Sequence, residues 1–126
     1  MGNNKFNKNV YGEAIEVCCE ETMTGYLRNG LCETSDDDVG SHTVCAKVTK
    51  EFLDYSKNKG NDLITPRPEF NFPGLKEGDK WCVCAGRWLE ALNDGVAPPI
   101  LIKSTNAKAL EIISIELLRK YAIDLL

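Results

Sequence analysis

Residues 79–90 read Asp79-Lys80-Trp81-Cys82-Val83-Cys84-Ala85-Gly86-Arg87-Trp88-Leu89-Glu90, and they hold both tryptophans and two of the six cysteines of a 126-residue chain. The apolar run at 81–84 has the length of a short buried strand. Trp88, Leu89 and Leu92 then recur at helical spacing, and Gly95 supplies a stop. The spacing therefore predicts a strand that runs straight into an amphipathic helix. A cysteine at such a junction faces free backbone N–H groups and the positive end of the helix dipole, an environment that favours thiolate over thiol. Cys84 is the first candidate nucleophile on that ground.

Downstream, Pro98-Pro99 leads into Ile100-Leu101-Ile102-Lys103, which reads as a strand. Strand, helix and strand across 80–103 have the size of a βαβ unit, so parallel pairing of the two strands is expected. Asn106 opens a short helix through Leu110, and Ser114 opens a final one through Tyr121. Upstream, the 61–78 segment carries Pro66, Pro68, Pro73, Gly74 and Gly78 and reads as a long irregular loop, with Phe70, Phe72 and Leu75 pinning it to the core. Ser41–Val48 reads as a strand, and Thr49 caps a helix that packs Phe52, Leu53 and Tyr55 inward before Gly60. Asn29-Gly30 predicts a type I′ hairpin between Tyr26 and Cys32. Thr34-Ser35-Asp36-Asp37-Asp38 lacks the spacing and glycine of a calcium loop and reads as a solvated acidic turn. Val10–Cys18 has no helical period and is expected to be extended, with Gly12 as a break.

These readings add up to an α+β fold. The expectation is a small mixed β-sheet with three to four helices, including the βαβ unit at 80–103. Residues 1–9 are expected to form a flexible tail and 10–126 a single globular domain, long enough to bury about two thirds of its extended surface.

With 43% hydrophobic and 27% charged residues the chain has the make-up of a globular protein, and its net charge of -4, without a Lys/Arg block, gives no footprint for nucleic acid. The longest apolar runs are far too short to cross a bilayer, and the polar start, Met1 to Asn9, has no signal-like apolar core. The expectation is a cytoplasmic protein, with no membrane partner, whose cysteines are reduced. Its partner is expected to be a small molecule or another protein.

Val44-Cys45-Ala46 echoes Val83-Cys84-Ala85, and each ends a predicted strand ahead of a predicted helix. Both thiols would then lie at strand-to-helix junctions on one sheet edge, where ligands bind in open α/β sheets. His42 is the one histidine, so imidazole chemistry must pass through it. The catalytic candidates are Cys84, Cys45, His42 as proton acceptor, and Arg87 as the cation near the sulfur. The alternatives are structural: His42 could bond backbone near the hairpin or acidic loop, and Arg87 could pair with Asp79 or Asp62. For ligand binding the candidates are Asn61, Asp62, Thr65 and Arg67 on the long loop, with Trp81 and Cys82 beside it. Asn61 and Asp62 could equally satisfy backbone groups after Gly60. The chain has no Gly-x-Ser-x-Gly, phosphate-loop, dinucleotide or His-Glu-x-x-His motif.

No metal or other cofactor is expected. Were zinc held, its ligands would come from Cys18, Cys32, His42, Cys45, Cys82 and Cys84. Alternate residues of a strand lie about 6.6 Å apart, whereas two sulfurs on one tetrahedral zinc lie within roughly 4 Å, so Cys82 and Cys84 do not easily share a metal. A bridge between segments, Cys45 to Cys84 or Cys82, is easier than one within the pair.

Gly40-Ser41-His42-Thr43-Val44-Cys45-Ala46, Gly60-Asn61-Asp62-Leu63 with Thr65-Pro66, Phe72-Pro73-Gly74-Leu75, Gly78-Asp79, Trp81-Cys82-Val83-Cys84-Ala85 with Arg87-Trp88, and Ala97-Pro98-Pro99 stand in that order. Together they resemble the bacterial family called domain of unknown function 2237, which also has members in some eukaryotes. The resemblance covers nearly the whole chain from Val10 onward. The family's usual pattern has a proline near position 15 and histidines near 106 and 121, where this chain has Ile15, Asn106 and Tyr121. What the resemblance implies is a compact single-domain protein; it carries no established activity, cofactor or catalytic residue.

The expected function is a small thiol-containing pocket, Cys84 and Cys45 with His42 and Arg87, used for redox-linked or nucleophilic chemistry. The alternatives are a non-catalytic binding module built on the 61–78 loop and a structural zinc domain. Whether the chain is an enzyme is left open by the sequence.

Overall fold

A computed structural model describes residues 8–19 and 24–125. Its framework is a strand β1 (His42–Lys47), a helix α1 (Lys50–Asn58), a strand β2 (Lys80–Cys84), a helix α2 (Ala85–Asn93) and a helix α3 (Ile115–Tyr121). Three 3-10 turns lie between them, at Pro68–Phe70, Ile102–Ser104 and Ala107–Glu111. This is the α+β arrangement expected.

Two of these three helices begin where a side chain satisfies an orphan N–H group. Thr49 Oγ1 accepts from the Phe52 amide at 3.1 Å ahead of α1, and Ser114 Oγ accepts from the Leu117 amide at 3.3 Å ahead of α3. Asn106 Oδ1 does the same for the Lys108 amide at 2.9 Å, which opens the short turn expected there. The start of α2 differs: Cys84 is its N-cap, in extended conformation, and makes no side-chain capping bond.

β1 and β2 pair antiparallel, with Cys45 opposite Cys82, Ala46 opposite Trp81 and His42 opposite Cys84; an irregularity between His42 and Val44 shifts the register. Side chains alternate across the ladder, so Val44 and Val83 reach one face while Cys45 and Cys82 reach the other. The first face joins Phe52, Trp88, Ile100, Ile113 and Leu118 in the main apolar core. Trp88 is fully buried there, its indole N–H donating to the Pro98 carbonyl at 3.0 Å. Tyr55 fastens α1 to α2 through Asp94.

The βαβ unit expected at 80–103 does not form, and neither does a mixed ladder of full strands. Among the described residues the sheet has two antiparallel strands. Ile100 adds only single bridges, antiparallel to Ala46 and parallel to Ala122. β1 therefore occupies the place beside β2 that a parallel neighbour would need, and the chain turns away at Ile102–Ser104, where Asp124 accepts from the Ile102 and Lys103 amides at 2.8 and 3.0 Å.

The hairpin expected at 26–32 is also absent. Arg28 and Gly30, not Asn29, take positive φ (56° and 87°), so the two successive positive-φ residues of a type I′ turn are missing. The segment is instead fixed by Arg28, which donates to the carbonyls of Phe70 and Asn71 at 3.0 and 3.1 Å. Phe72 and Leu75 pin the long loop as expected, but Phe70 points outward and is 65% exposed. Of the expected tail, residues 1–7 lie outside the described residues. Asn9 is buried, and its Oδ1 accepts from the amides of Tyr11 and Glu13.

The cysteines are not all reduced, as the sequence reading had them. Cys18 bonds to Cys45 and Cys32 to Cys82, while Cys19 and Cys84 are free. The four bonded sulfurs form a second, separate buried cluster on the outer face of the ladder, with Ile15 and Leu101 against it.

Candidate functional site

At the end of the ladder, the cross-strand register sets His42 opposite Cys84. The His42 ring and the Cys84 sulfur line one small cavity, and both lie against Gly40. The His42 Nδ1–H donates to Asp38 Oδ1 at 2.6 Å, which leaves Nε2 as the nitrogen for sulfur. Asp38 is in turn held on its other oxygen, where Oδ2 accepts from the His42 amide at 2.9 Å and from Thr34 Oγ1 at 2.9 Å. The Asp38 side chain is fully buried, whereas that of His42 is 37% exposed. The carboxylate is thus locked and dry while the imidazole can be reached. Tyr26 stacks beside the imidazole, ring centroids 6.1 Å apart.

The chain reaches this geometry through a tight corner. Ser41, with φ 51°, sits in the left-handed region that a side chain rarely adopts. Its carbonyl accepts from the Ala85 amide at 3.0 Å and ties the corner to the start of α2. Gly40 lies directly in front of sulfur and imidazole. A Cβ placed there would stand 3.1 Å from His42 Cε1 and 3.2 Å from Cys84 Sγ.

The Cys84 side chain is the largest cause that raises the His42 pKa, from 6.5 to about 9; burial opposes it, and the charge on Cys84 and the bond and charge of Asp38 add to it. The raised value favours the imidazolium that forms when His42 accepts a proton beside sulfur. Because its folded value lies above the unfolded one, the stability it contributes is fully present below about 6.5 and is lost as pH rises through about 9. The melting temperature of the wild type should fall across that window more than that of His42→Asn, as followed by thermal unfolding from pH 6 to 10. Parallel curves for the two proteins would contradict the assignment.

Two openings meet at the thiol. One is a cavity of about 40 Å³ whose walls include His42, Asn61, Leu63, Trp81 and Cys84, room for about one water molecule. The other is an open cleft of about 370 Å³ bounded by Gly40, Cys84, Gly86, Arg87 and Glu90. The second is shallow and open to solvent, so it exposes the sulfur rather than enclosing a ligand. The amides of Gly86 and Arg87 lie in the first turn of α2, whose donors have no acceptor within the helix. Both residues bound the open cleft together with Cys84.

The candidates named from the sequence divide accordingly. Cys84 and His42 come together, and Arg87 lies on the cleft rim. Its guanidinium donates to the Lys59 carbonyl at 3.2 Å and to Glu90 Oε1 at 3.4 Å, not to Asp79 or Asp62. Cys45 does not join them: it is buried and bonded to Cys18, so it offers no thiol. Cys82 is likewise consumed, by Cys32, although it lines the small cavity. Neither forms the expected bridge to the other strand's cysteine, because the two disulfides reach out of the sheet to the 18–32 region. Asn61 and Trp81 do line the thiol's cavity.

Asp62 closes a turn, accepting from Thr65 Oγ1 at 2.6 Å and from the Ile64 and Thr65 amides. The hydroxyl of Thr65 foremost, then those amides, lower its pKa to about 2. Asp62 and Thr65 are thus turn-formers, and Arg67 is exposed, with its backbone paired to Phe72. The residue the sequence reading missed is Asp38. The acidic run reads as solvated, and Asp36 and Asp37 are exposed, but Asp38 turns inward. Its position four before the one histidine, across Gly40, was the available signal. Among the described residues, the group that could hold a metal is Cys18, Cys32 and Cys82, without His42 or Cys84.

No helix among the described residues is long and apolar enough to cross a membrane. No curated protein matches the chain. The family model that matches residues 8–122 is described as an uncharacterized protein conserved in bacteria, DUF2237, and with nearly its whole length covered the chain belongs to that family.

Proposed function

We propose that this protein is a thiol enzyme for acyl transfer or hydrolysis, with Cys84 as nucleophile, His42 as proton carrier and Asp38 as the residue that orients the imidazole. The observation that carries the reading is the placement of Cys84 opposite His42 at the end of the ladder, with the imidazole hydrogen-bonded to the buried Asp38 carboxylate. Asp38 holds His42 in the tautomer that presents Nε2 to sulfur and favours the imidazolium that forms. His42 takes the thiol proton. The Cys84 Sγ–carbon bond then forms at an ester, thioester or amide carbonyl in the 370 Å³ cleft, and the carbonyl electron pair moves onto oxygen. The amides of Gly86 and Arg87 meet that oxyanion. When the carbonyl reforms, the leaving group departs with the proton from His42, and water or a second acceptor takes the acyl group from sulfur by the reverse sequence.

The reading of the 61–78 loop as a recognition surface folds into this one, since Asn61 and Leu63 line the cavity at the same thiol. The deciding experiment is to treat the protein with p-nitrophenyl acetate and map the acetyl group by mass spectrometry. Acetylation of Cys84 well ahead of Cys19 supports the proposal. Equal, slow labelling of both would end it.

Two substitutions probe the parts separately. Asp38→Asn keeps the shape but presents no carboxylate to Nδ1, and the acetylation rate should fall by about 100-fold or more, with the His42 pKa moving back toward its ordinary value in an NMR titration. Gly40→Ala alters no positive φ and sets a methyl against His42 and Cys84. It should slow acetylation by about tenfold or more, on the order of 1.4 kcal/mol of lost access, while the melting temperature changes little. An unchanged rate would show that substrates do not approach across Gly40.

A further inference from the structure

We infer that Cys18, Cys32, Cys45 and Cys82 form a second, independent site, which in the reduced protein holds one thiophilic divalent metal ion, zinc above all, in place of the two disulfides. Thiol chemistry at Cys84 does not enter it.

The four sulfurs converge from four separate segments. Cys45 and Cys82 lie opposite each other on β1 and β2, and each is bonded to a cysteine from the 18–32 region. The sulfurs of Cys18, Cys32 and Cys82 lie within 4.8 Å of one another, although Cys18 and Cys82 belong to different disulfides; Cys45 lies farther than that from at least one of the three, and is held to the group by its bond to Cys18 within the same buried cluster. A tetrahedral tetrathiolate needs neighbouring sulfurs roughly 3.8 Å apart, from metal–sulfur bonds of about 2.3 Å. Once the covalent bonds are broken, each bonded pair separates toward that spacing while the cross-pair distances shorten. Rotation about the Cα–Cβ bonds, Cys45 moving furthest, would supply both movements. All four residues are at most 3% exposed, so water does not compete for the metal. His42 and Cys84 stand outside the group.

The exchange balances with a dithiol as reductant. Two dithiol molecules each transfer two electrons and two protons to one protein disulfide and become cyclic disulfides, leaving four protein thiols. Binding of the divalent ion to four thiolates then releases the four protons. The cross-links between 18 and 45 and between 32 and 82 persist through the metal instead of through sulfur–sulfur bonds, so the fold has a second way of closing the same loops.

The test reduces the full chain anaerobically with a dithiol, removes the reductant, and titrates it with cobalt(II) as a spectroscopic stand-in, then zinc. The expected result is one equivalent of cobalt with the absorption bands of a tetrahedral tetrathiolate, displacement by one equivalent of zinc, and a melting temperature restored toward that of the oxidised protein. Cys84→Ser should bind identically, and Cys32→Ser should lose one sulfur ligand and weaken binding by at least about 100-fold. The inference is overturned if the reduced chain takes up less than about 0.1 equivalent. It is equally overturned if the cobalt spectrum changes with Cys84→Ser, or if metal binds without restoring the melting temperature.

Discussion

Replacing Cys84 with serine is expected to lower acetyl transfer from p-nitrophenyl acetate by about a thousandfold or more, equivalent to roughly 4 kcal/mol of transition-state stabilisation. The hydroxyl has nearly the size of the thiol but is a far weaker nucleophile at neutral pH, and His42 does not make up the difference. The fold should be unaffected, because Cys84 caps α2 through its backbone and makes no side-chain capping bond. Cys19→Ser is the control. Cys19 is the other free cysteine, and its loss should leave the rate unchanged. A Cys84→Ser protein that keeps most of the rate would remove the nucleophile from the mechanism, and the Cys84–His42–Asp38 arrangement would then be packing alone.

The double substitution Cys32→Ala with Cys82→Ala should cost the oxidised protein about 4 kcal/mol. That follows from the chain entropy released when a cross-link is lost between residues 50 apart. For a chain of this length the melting temperature should drop by about 15 °C. The other pair, Cys18 and Cys45, closes 27 residues and should cost slightly less, about 3.5 kcal/mol. The two loops interleave, since 32 lies inside 18–45 and 45 lies inside 32–82, so the losses should not add. Denaturant midpoints for the two double variants and the quadruple variant decide this. A loss below about 1 kcal/mol for the 32–82 pair would mean that the 24–34 segment is held by its other contacts, including Thr24 Oγ1 on the Cys82 amide at 2.7 Å. It would also predict little recovery on adding zinc to the reduced chain.

The acidic run shows where local pattern stops being informative. Asp36, Asp37 and Asp38 are chemically alike and adjacent, yet only Asp38 is buried. What distinguishes it is the corner formed by Gly40 and Ser41, which folds the chain back so that one carboxylate meets the His42 amide and ring. The same limit applies to sulfur. Cys45 and Cys84 occupy matching places in Val-Cys-Ala triplets, and the echo suggests a shared pocket. Cys45 lies three residues into β1 and opposite Cys82, whereas Cys84 ends β2 opposite His42, so one thiol is sealed in a disulfide and the other opens onto a cleft.

From the chain alone came the parts that depend on neighbours in sequence: the strands around Cys45 and Cys82, the helices after Thr49 and Cys84, the irregular loop rich in proline and glycine, and Cys84 at a helix start beside a lone histidine. Hydrophobic period, capping side chains and turn residues act over a few positions, and those are legible in order along the chain. The antiparallel two-strand ladder in place of a βαβ unit, the pairing of four cysteines and the arrival of Asp38 behind His42 were decided in three dimensions. The first two depend on which distant segment occupies a given flank of β1, a competition settled by burial and hydrogen bonding between segments far apart in sequence, and the third on a corner whose direction is set by how the Ser41 carbonyl ties to the start of α2.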